Sequence, residues 1–310
     1  MHIVIFGAGG VGGYFGGRLA QAGENITFIA RGEHLKALLN NGLQVKSING
    51  DFSIKPVTAT DQISQVSEVD AILVCVKTWQ IPSAAKAIMP MLASSTMVVP
   101  LENGVETPAQ LAEILGREHI LGGLCQIASR IAAPGVIQHA GLEPYIAFGE
   151  LDNHPSERTN ALLNVFQHAG IKAEIPADIN VALWNKFLFI SAVSGLGAIT
   201  RVPFGDFRQA DGTRQLLLAA LKECYAVALA EGVRLPSDSV DKTLAFIDSL
   251  PPATMASMQR DIIAGRPSEL EAQNGALVRM GQRLNVPTPV HAFIYNCLLP
   301  QEIRARGSAH

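Results

Sequence analysis

The stretch HIVIFGAGGVG at residues 2–12 constrains this chain more than any other. A short apolar run ends in Gly7-Ala8-Gly9-Gly10-Val11-Gly12, which fits G-x-G-x-x-G and opens directly into a helix-like segment at 11–21. Between a strand and a helix, the three spaced glycines have separate physical uses. Gly7 makes the tight turn, Gly9 lets the backbone approach a pyrophosphate with no Cβ in the way, and Gly12 allows close helix–strand packing. The helix start, with Gly10 and Val11 in its first turn, offers free N–H groups and partial positive charge to an anion. The sequence therefore predicts a dinucleotide site at the head of the chain.

The chain beyond this turn alternates to match. Short apolar strands are expected at 2–6, 25–30, 71–76 and 96–101, separated by helices at 11–21, 34–39, 80–89 and 108–115. The run AILVCV at 71–76 has no polar face, as a strand buried on both sides of a parallel sheet should not. Beyond Gly123 the pattern changes, and 129–139 and 144–148 read as strands of an antiparallel extension. After a last strand signal at 173–179 the chain reads as helices, at 181–193, 213–231, 239–249, 256–264, 268–284 and 289–302. The expected fold is α/β: a Rossmann-type dinucleotide-binding domain at 1–176, then an all-helical domain at 177–310. A length of 310 residues suits two cores.

Composition removes several function classes. Hydrophobic residues make up 48% and charged ones 16%, so a packed core is expected rather than disorder. A net charge of −3 leaves no basic footprint for nucleic acid. No run reads as the ~20 consecutive, mainly apolar residues that cross a bilayer. The first residues lack a basic segment and a cleavage site, so a cytoplasmic protein without a membrane partner is expected. Cys75, Cys125, Cys224 and Cys297 form no C-x-x-C pair and the eight histidines form no H-x-x-x-H cluster, so no metal is expected. Periodicity leaves open whether the apolar helices bury against each other or against a second copy, as in a homodimer.

The end of the second strand bears on the cofactor. NAD sites place an acidic residue there for the ribose 2′-OH, and NADP sites a basic one. The strand NITFIA ends in Arg31, whose guanidinium suits a 2′-phosphate; Glu33, beyond Gly32, reads better as a first-turn helix residue. NADP(H) is the expected cofactor. Lys77 follows the buried run AILVCV and Asn103 follows MVVPL, both at strand ends where α/β folds bind ligands. Each is also an ordinary loop residue, Asn103-Gly104 being a favoured turn pair. In WNKFLFISAVSGLGAIT, residues 184–200, Lys186 precedes a long uncharged run. Taken alone it reads as a helix-end lysine whose stem covers apolar surface, and Trp184 as a packing residue.

With these residues laid out, the chain resembles the ketopantoate reductase family. The resemblance rests on GAGGVG, Arg31, VKTWQ at 76–80, ENGVE at 102–106, WNKF at 184–187 and SMQRDIIAGRPSELEAQNG at 257–275. Many dehydrogenases share the glycine motif; the lysine motif and the late S-M-x-x-D…E…N-G block are far more specific. The resemblance implies reduction of a 2-oxo acid, 2-dehydropantoate (ketopantoate), to pantoate with NADPH in pantothenate synthesis. By it Lys186 matches the catalytic lysine and Glu269 the active-site carboxylate. Ser257 matches the serine at the substrate carboxylate, Asn103 the asparagine between cofactor and substrate, and Lys77 and Arg31 cofactor contacts. The chemistry agrees: hydride transfer builds negative charge on a carbonyl oxygen, which an ammonium stabilises and then protonates. A carboxylate beside that ammonium would orient it, so Glu269 and Lys186 are expected to be coupled.

The chain departs from the family at Ile190, Ser194, Phe204 and Thr254, where members often carry asparagines. Ile190 and Phe204 imply a more apolar pocket, with Asn103, Ser194 and Ser257 left to hold the substrate. Lost hydrogen-bonding groups change discrimination strongly. The alternative is thus an NADPH-dependent reductase of a bulkier, more apolar 2-oxo acid or ketone on the same fold. A non-catalytic NADP-binding sensor is the third reading; it would have no need of Lys186, Glu269 and Ser257 together.

Overall fold

The run HIVIF forms a strand, His2–Phe6, at the centre of a five-stranded sheet. In the computed structural model, which describes residues 1–307, that sheet runs Thr58–Thr60, Asn25–Ile29, His2–Phe6, Ala71–Val74, Met97–Pro100. All neighbours are parallel. Its inner strands are continuous apolar runs because both faces are covered. Ile3 and Ile5 face one core with Phe15, Leu19, Phe28 and Phe166, while Val4 faces the other with Ile72, Val74, Ile81 and Ile88. Strand order reverses at His2–Phe6, so the loop after it lies at a topological switch point, where open α/β sheets bind ligands.

The expected antiparallel extension is more mixed. Ser129–Ala133 and Val136–His139 do pair antiparallel, but Val136–His139 also runs parallel to Leu43–Ser47, which pairs antiparallel with Phe52–Ile54. Tyr145–Glu150 lies antiparallel to Leu121–Gln126 and parallel to Lys172–Glu174. The parallel return needs a crossover, and the helix Glu157–His168 supplies it. That helix is capped by Ser156, whose Oγ accepts from the Thr159 N–H at 3.2 Å.

The chain divides into two units: residues up to Ile179 without Asn103–Glu106, and Asn103–Glu106 with the chain from Asn180 onward. The second unit is helical, apart from the short segment Asn103–Glu106. The helix carrying Lys186 spans Ile179–Thr200, well past the end expected near 193. Its glycines, costly for a helix in isolation, are there for contact. A Cβ on Gly195 would lie 2.8 Å from the Asn274 amide nitrogen, and one on Gly197 would lie 2.5 Å from Gln259 Oε1. By length and composition this helix could cross a bilayer, so the expectation that no stretch does so fails. Within its most apolar window 67% is buried inside the protein, as in a core helix.

The segment 268–284 is not one helix. It opens with a wide turn, Glu271–Gly275, in which the Gly275 N–H reaches five residues back to the Leu270 carbonyl at 3.0 Å, and only then becomes the α-helix Ala276–Leu284. The last helix among the described residues is Pro289–Gly307.

Candidate active site

In the first unit the glycine turn takes the tight, closely packed shape that the spacing predicts. Gly7 has φ +107°, a conformation that disfavours any side chain, and the N–H groups of Gly7 and Ala8 bond the Ile29 carbonyl at 3.3 and 3.2 Å. Those bonds tie the turn to the end of the second strand. A Cβ on Gly12 would lie 2.2 Å from the Gly7 carbonyl oxygen and 2.7 Å from Ile5 Cγ2; one on Gly10 would lie 2.7 Å from the Ser129 backbone. Gly9 alone has nothing within 4 Å of its Cβ position. The helix Gly10–Gln21 has no side chain capping its N-terminus, so its first N–H groups, from Gly10 and Val11 onward, face that open side. A cradle closed beneath and open above Gly9 fits a pyrophosphate.

Arg31 follows the second strand in extended conformation, exposed, and its guanidinium has no hydrogen bond or ion pair among the described residues. The competing Glu33 is engaged elsewhere, 2.8 Å from Lys36 Nζ in an exposed pair. Lys77 stands three residues past the strand Ala71–Val74, with its ammonium 5.9 Å from the centroid of the Trp79 ring. The glycine turn, Arg31 and Lys77 therefore gather at the carboxyl edge of one parallel sheet.

In the second unit Lys186 and Ile190 are half-buried on one stripe of their helix, and every residue from 191 to 198 is buried. Among the described residues the Lys186 ammonium forms no hydrogen bond or ion pair, so the direct coupling to Glu269 expected from sequence is absent. The carboxylate is held by another group. Asn103 Nδ2 donates to Glu269 Oε2 at 3.0 Å, across 166 positions of chain, and Glu269 is only 4% exposed. Gly104, at φ +112°, brings the loop against the Ala272 carbonyl. Ser257 is half-buried at the start of the helix Ser257–Ile263, which Gln259 ties to the segment just past the lysine helix through a 2.8 Å bond from Nε2 to the Val202 carbonyl.

The family model for ketopantoate reductase PanE/ApbA matches residues 3–153, and that for its C-terminal part residues 178–302. The chain belongs to the ketopantoate reductase family. It is thus an NADP-dependent oxidoreductase acting on a CH–OH group. An oxidoreductase of Bacillus subtilis, named as uncharacterized YkpB, is 29% identical, with 95% of this chain and 97% of that protein aligned. The 2-dehydropantoate 2-reductase of a Nostoc species is also 29% identical, over 96% and 92% of the two chains. The crystal structure of a PanE/ApbA family ketopantoate reductase from Ralstonia eutropha superposes with a TM-score of 0.90 at 32% identity, covering 99% of this chain and all of that one.

The departures from the ketopantoate reductase pattern differ in consequence. Phe204 is 1% exposed and packs with Phe207 and Phe189, at ring distances of 5.5 and 6.4 Å. It belongs to the core, which corrects its reading as a pocket wall. Ser194 is fully buried. Thr254 is half-buried, its hydroxyl donating to the Pro251 carbonyl at 2.7 Å. Ile190 is the departure that replaces an amide by an apolar side chain on accessible surface beside the lysine.

Sequence reasoning missed the polar core behind Glu269. Asn274 Nδ2 donates to the Ser191 carbonyl at 3.2 Å and to His291 Nδ1 at 2.9 Å, and His291 Nε2 donates to the Ala220 carbonyl at 3.0 Å. These bonds pin the wide turn to the lysine helix. Burial lowers the His291 pKa to about 4, so the folded protein keeps it neutral. Below about pH 6.5 the unfolded chain binds a proton there that the folded one refuses. Stability from this group is complete above pH 6.5 and falls by about 1.4 kcal/mol per pH unit down to about pH 4. A thermal-melting series across that window should show the decline flattened in His291→Gln.

Proposed function

We propose that this ketopantoate reductase family member reduces 2-dehydropantoate to pantoate, as the names of its Nostoc and other relatives suggest. The observation that carries the reading is the Asn103–Glu269 hydrogen bond, which joins the ENG loop to the S-E-L-E-A-Q-N-G block. Two family motifs far apart in sequence thereby meet on one buried carboxylate. NADPH supplies the hydride. The backbone N–H groups of the turn Gly7–Gly12 hold its pyrophosphate, Arg31 its 2′-phosphate, and Lys77 adds positive charge at the same edge. Lys186, half-buried on an otherwise uncharged helix, stabilises the charge growing on the carbonyl oxygen and then donates its proton there. Glu269 holds the Asn103 amide, and Ser257 donates to the substrate carboxylate. Ser194 is too deeply buried to join them directly.

We further assign cofactor binding to residues 1–176 and the catalytic groups mainly to the helical part at 177–310, in a cytoplasmic protein. Arg31→Ala should weaken NADPH binding about ten- to a hundredfold, the range for charge-assisted hydrogen bonds, while leaving NADH unchanged. Equal losses for both cofactors, read by fluorescence titration, would remove Arg31 from the 2′-phosphate site. The reaction itself is tested by product: one pantoate formed for each NADPH oxidised supports the reading, and oxidation without pantoate contradicts it. A second reading, a more apolar 2-oxo acid as substrate, is favoured by Ile190 alone, since an accessible apolar side chain beside the lysine suits a bulkier hydrocarbon group.

A further inference from the structure

The residue before Glu269 is held by the last turns of the helix Pro289–Gly307. Ser268 is fully buried, and its N–H lies 3.0 Å from both carboxylate oxygens of Glu302. Its hydroxyl donates to Glu302 Oε2 at 2.6 Å, and its carbonyl accepts from an Arg306 guanidinium nitrogen at 3.0 Å. Arg306 Nε closes the ring on Glu302 Oε1 at 2.7 Å, one helical turn away. The residue after Glu269 is tied in as well: the Leu270 N–H donates to Ser268 Oγ at 3.3 Å. Every polar atom of Ser268 is therefore engaged, and Glu269 sits between two pinned neighbours. Its own carbonyl starts the next turn, accepting from the Gln273 N–H at 3.0 Å.

A carboxylate 5% exposed, meeting a buried serine and an arginine, costs desolvation that a surface i,i+4 pair avoids. The helix Pro289–Gly307 could be closed more simply by an apolar residue at that position, so the polar clamp calls for a reason beyond packing. The geometry points to Glu302 as a positioning residue, with Arg306 in support: it fixes the backbone from which Glu269 reaches Asn103, and acts on the reaction only through that carboxylate. A shift of about 1 Å in such a group is enough to cost two orders of magnitude in rate. The inference rests on the proposal that Glu269 serves the reaction.

The test is a double-mutant cycle on the full-length protein with NADPH and ketopantoate. Glu302→Gln keeps an oxygen to accept from Ser268 but loses the charge that engages Arg306. It should lower kcat about tenfold or more and leave the NADPH dissociation constant unchanged. Placed on Glu269→Gln it should cost nothing further, because the carboxylate it positions is already gone. A merely structural brace would lower the melting temperature and reduce kcat by the same factor in both backgrounds, which would overturn the proposal. If Glu302→Gln does not fold, Ser268→Ala, which removes one hydroxyl of the clamp, carries the same cycle. Full activity in Glu269→Gln would sink the reading of the site and this inference with it. A damaged Glu269→Gln beside an unaffected Glu302→Gln would sink this inference alone.

Discussion

Lys186→Ala should lower kcat by about 10²- to 10⁴-fold, the usual contribution of a positioned proton donor, with NADPH affinity unchanged. The side chain is half-buried and its ammonium is not committed to any described carboxylate or carbonyl. Such a group contributes little to the folded state, so its loss should leave the melting temperature nearly intact. Its value lies in the transition state, where the carbonyl oxygen becomes anionic. Lys186→Arg should rescue poorly, since a guanidinium keeps its proton throughout the accessible pH range. A variant with wild-type kcat and weakened NADPH binding would reassign the lysine to the cofactor.

Gly9→Ala and Gly12→Ala should separate the two uses of glycine in the turn. At Gly12 an added methyl meets a backbone carbonyl at 2.2 Å and Ile5 at 2.7 Å, and neither yields cheaply. Gly12→Ala should therefore cost about 1–3 kcal/mol of stability as overpacking, and lose cofactor binding with it. At Gly9 the position is open and the backbone extended, so Gly9→Ala should melt like the parent. Its methyl would still keep a pyrophosphate away from the turn's N–H groups. We expect NADPH affinity to fall about ten- to a hundredfold, the loss of one or two charge-assisted hydrogen bonds. Matched losses of stability in the two variants, measured by thermal melting beside cofactor titration, would mean that Gly9 too is a packing glycine.

How far the sequence could be read depends on where its signals are local. The glycine turn, the parallel strands and Arg31 at a strand end are local facts, and each stands where the sequence predicts. The helix Glu157–His168 carries local signals as well, Ser156 and Glu157 at its start and Leu162, Val165 and Phe166 at helical spacing. The run to Thr200 was hidden because Gly195 and Gly197 lower helix propensity, and only the facing Asn274 and Gln259 explain them. Phe204 was misplaced for a related reason: an aromatic in a position known for amides suggests a pocket until its ring partners are seen. The Glu302 clamp is the extreme case. In sequence Glu302 and Arg306 look like a surface i,i+4 pair, and nothing local says that a serine 34 residues earlier closes the ring. Only the resemblance singles out Asn103 and Glu269 from the sequence, and the bond that joins them across 166 positions has no local signal.

The proposed substrate, ketopantoate, is tested by NADPH oxidation, followed by absorbance, with ketopantoate beside a panel of other 2-oxo acids. Ketopantoate should give a kcat/KM of about 10⁴ M⁻¹s⁻¹ or higher, above every other member of the panel. Weak turnover of ketopantoate beside strong turnover of a bulkier, more apolar 2-oxo acid would contradict it, and would point to Ile190 as the residue that respecified the site.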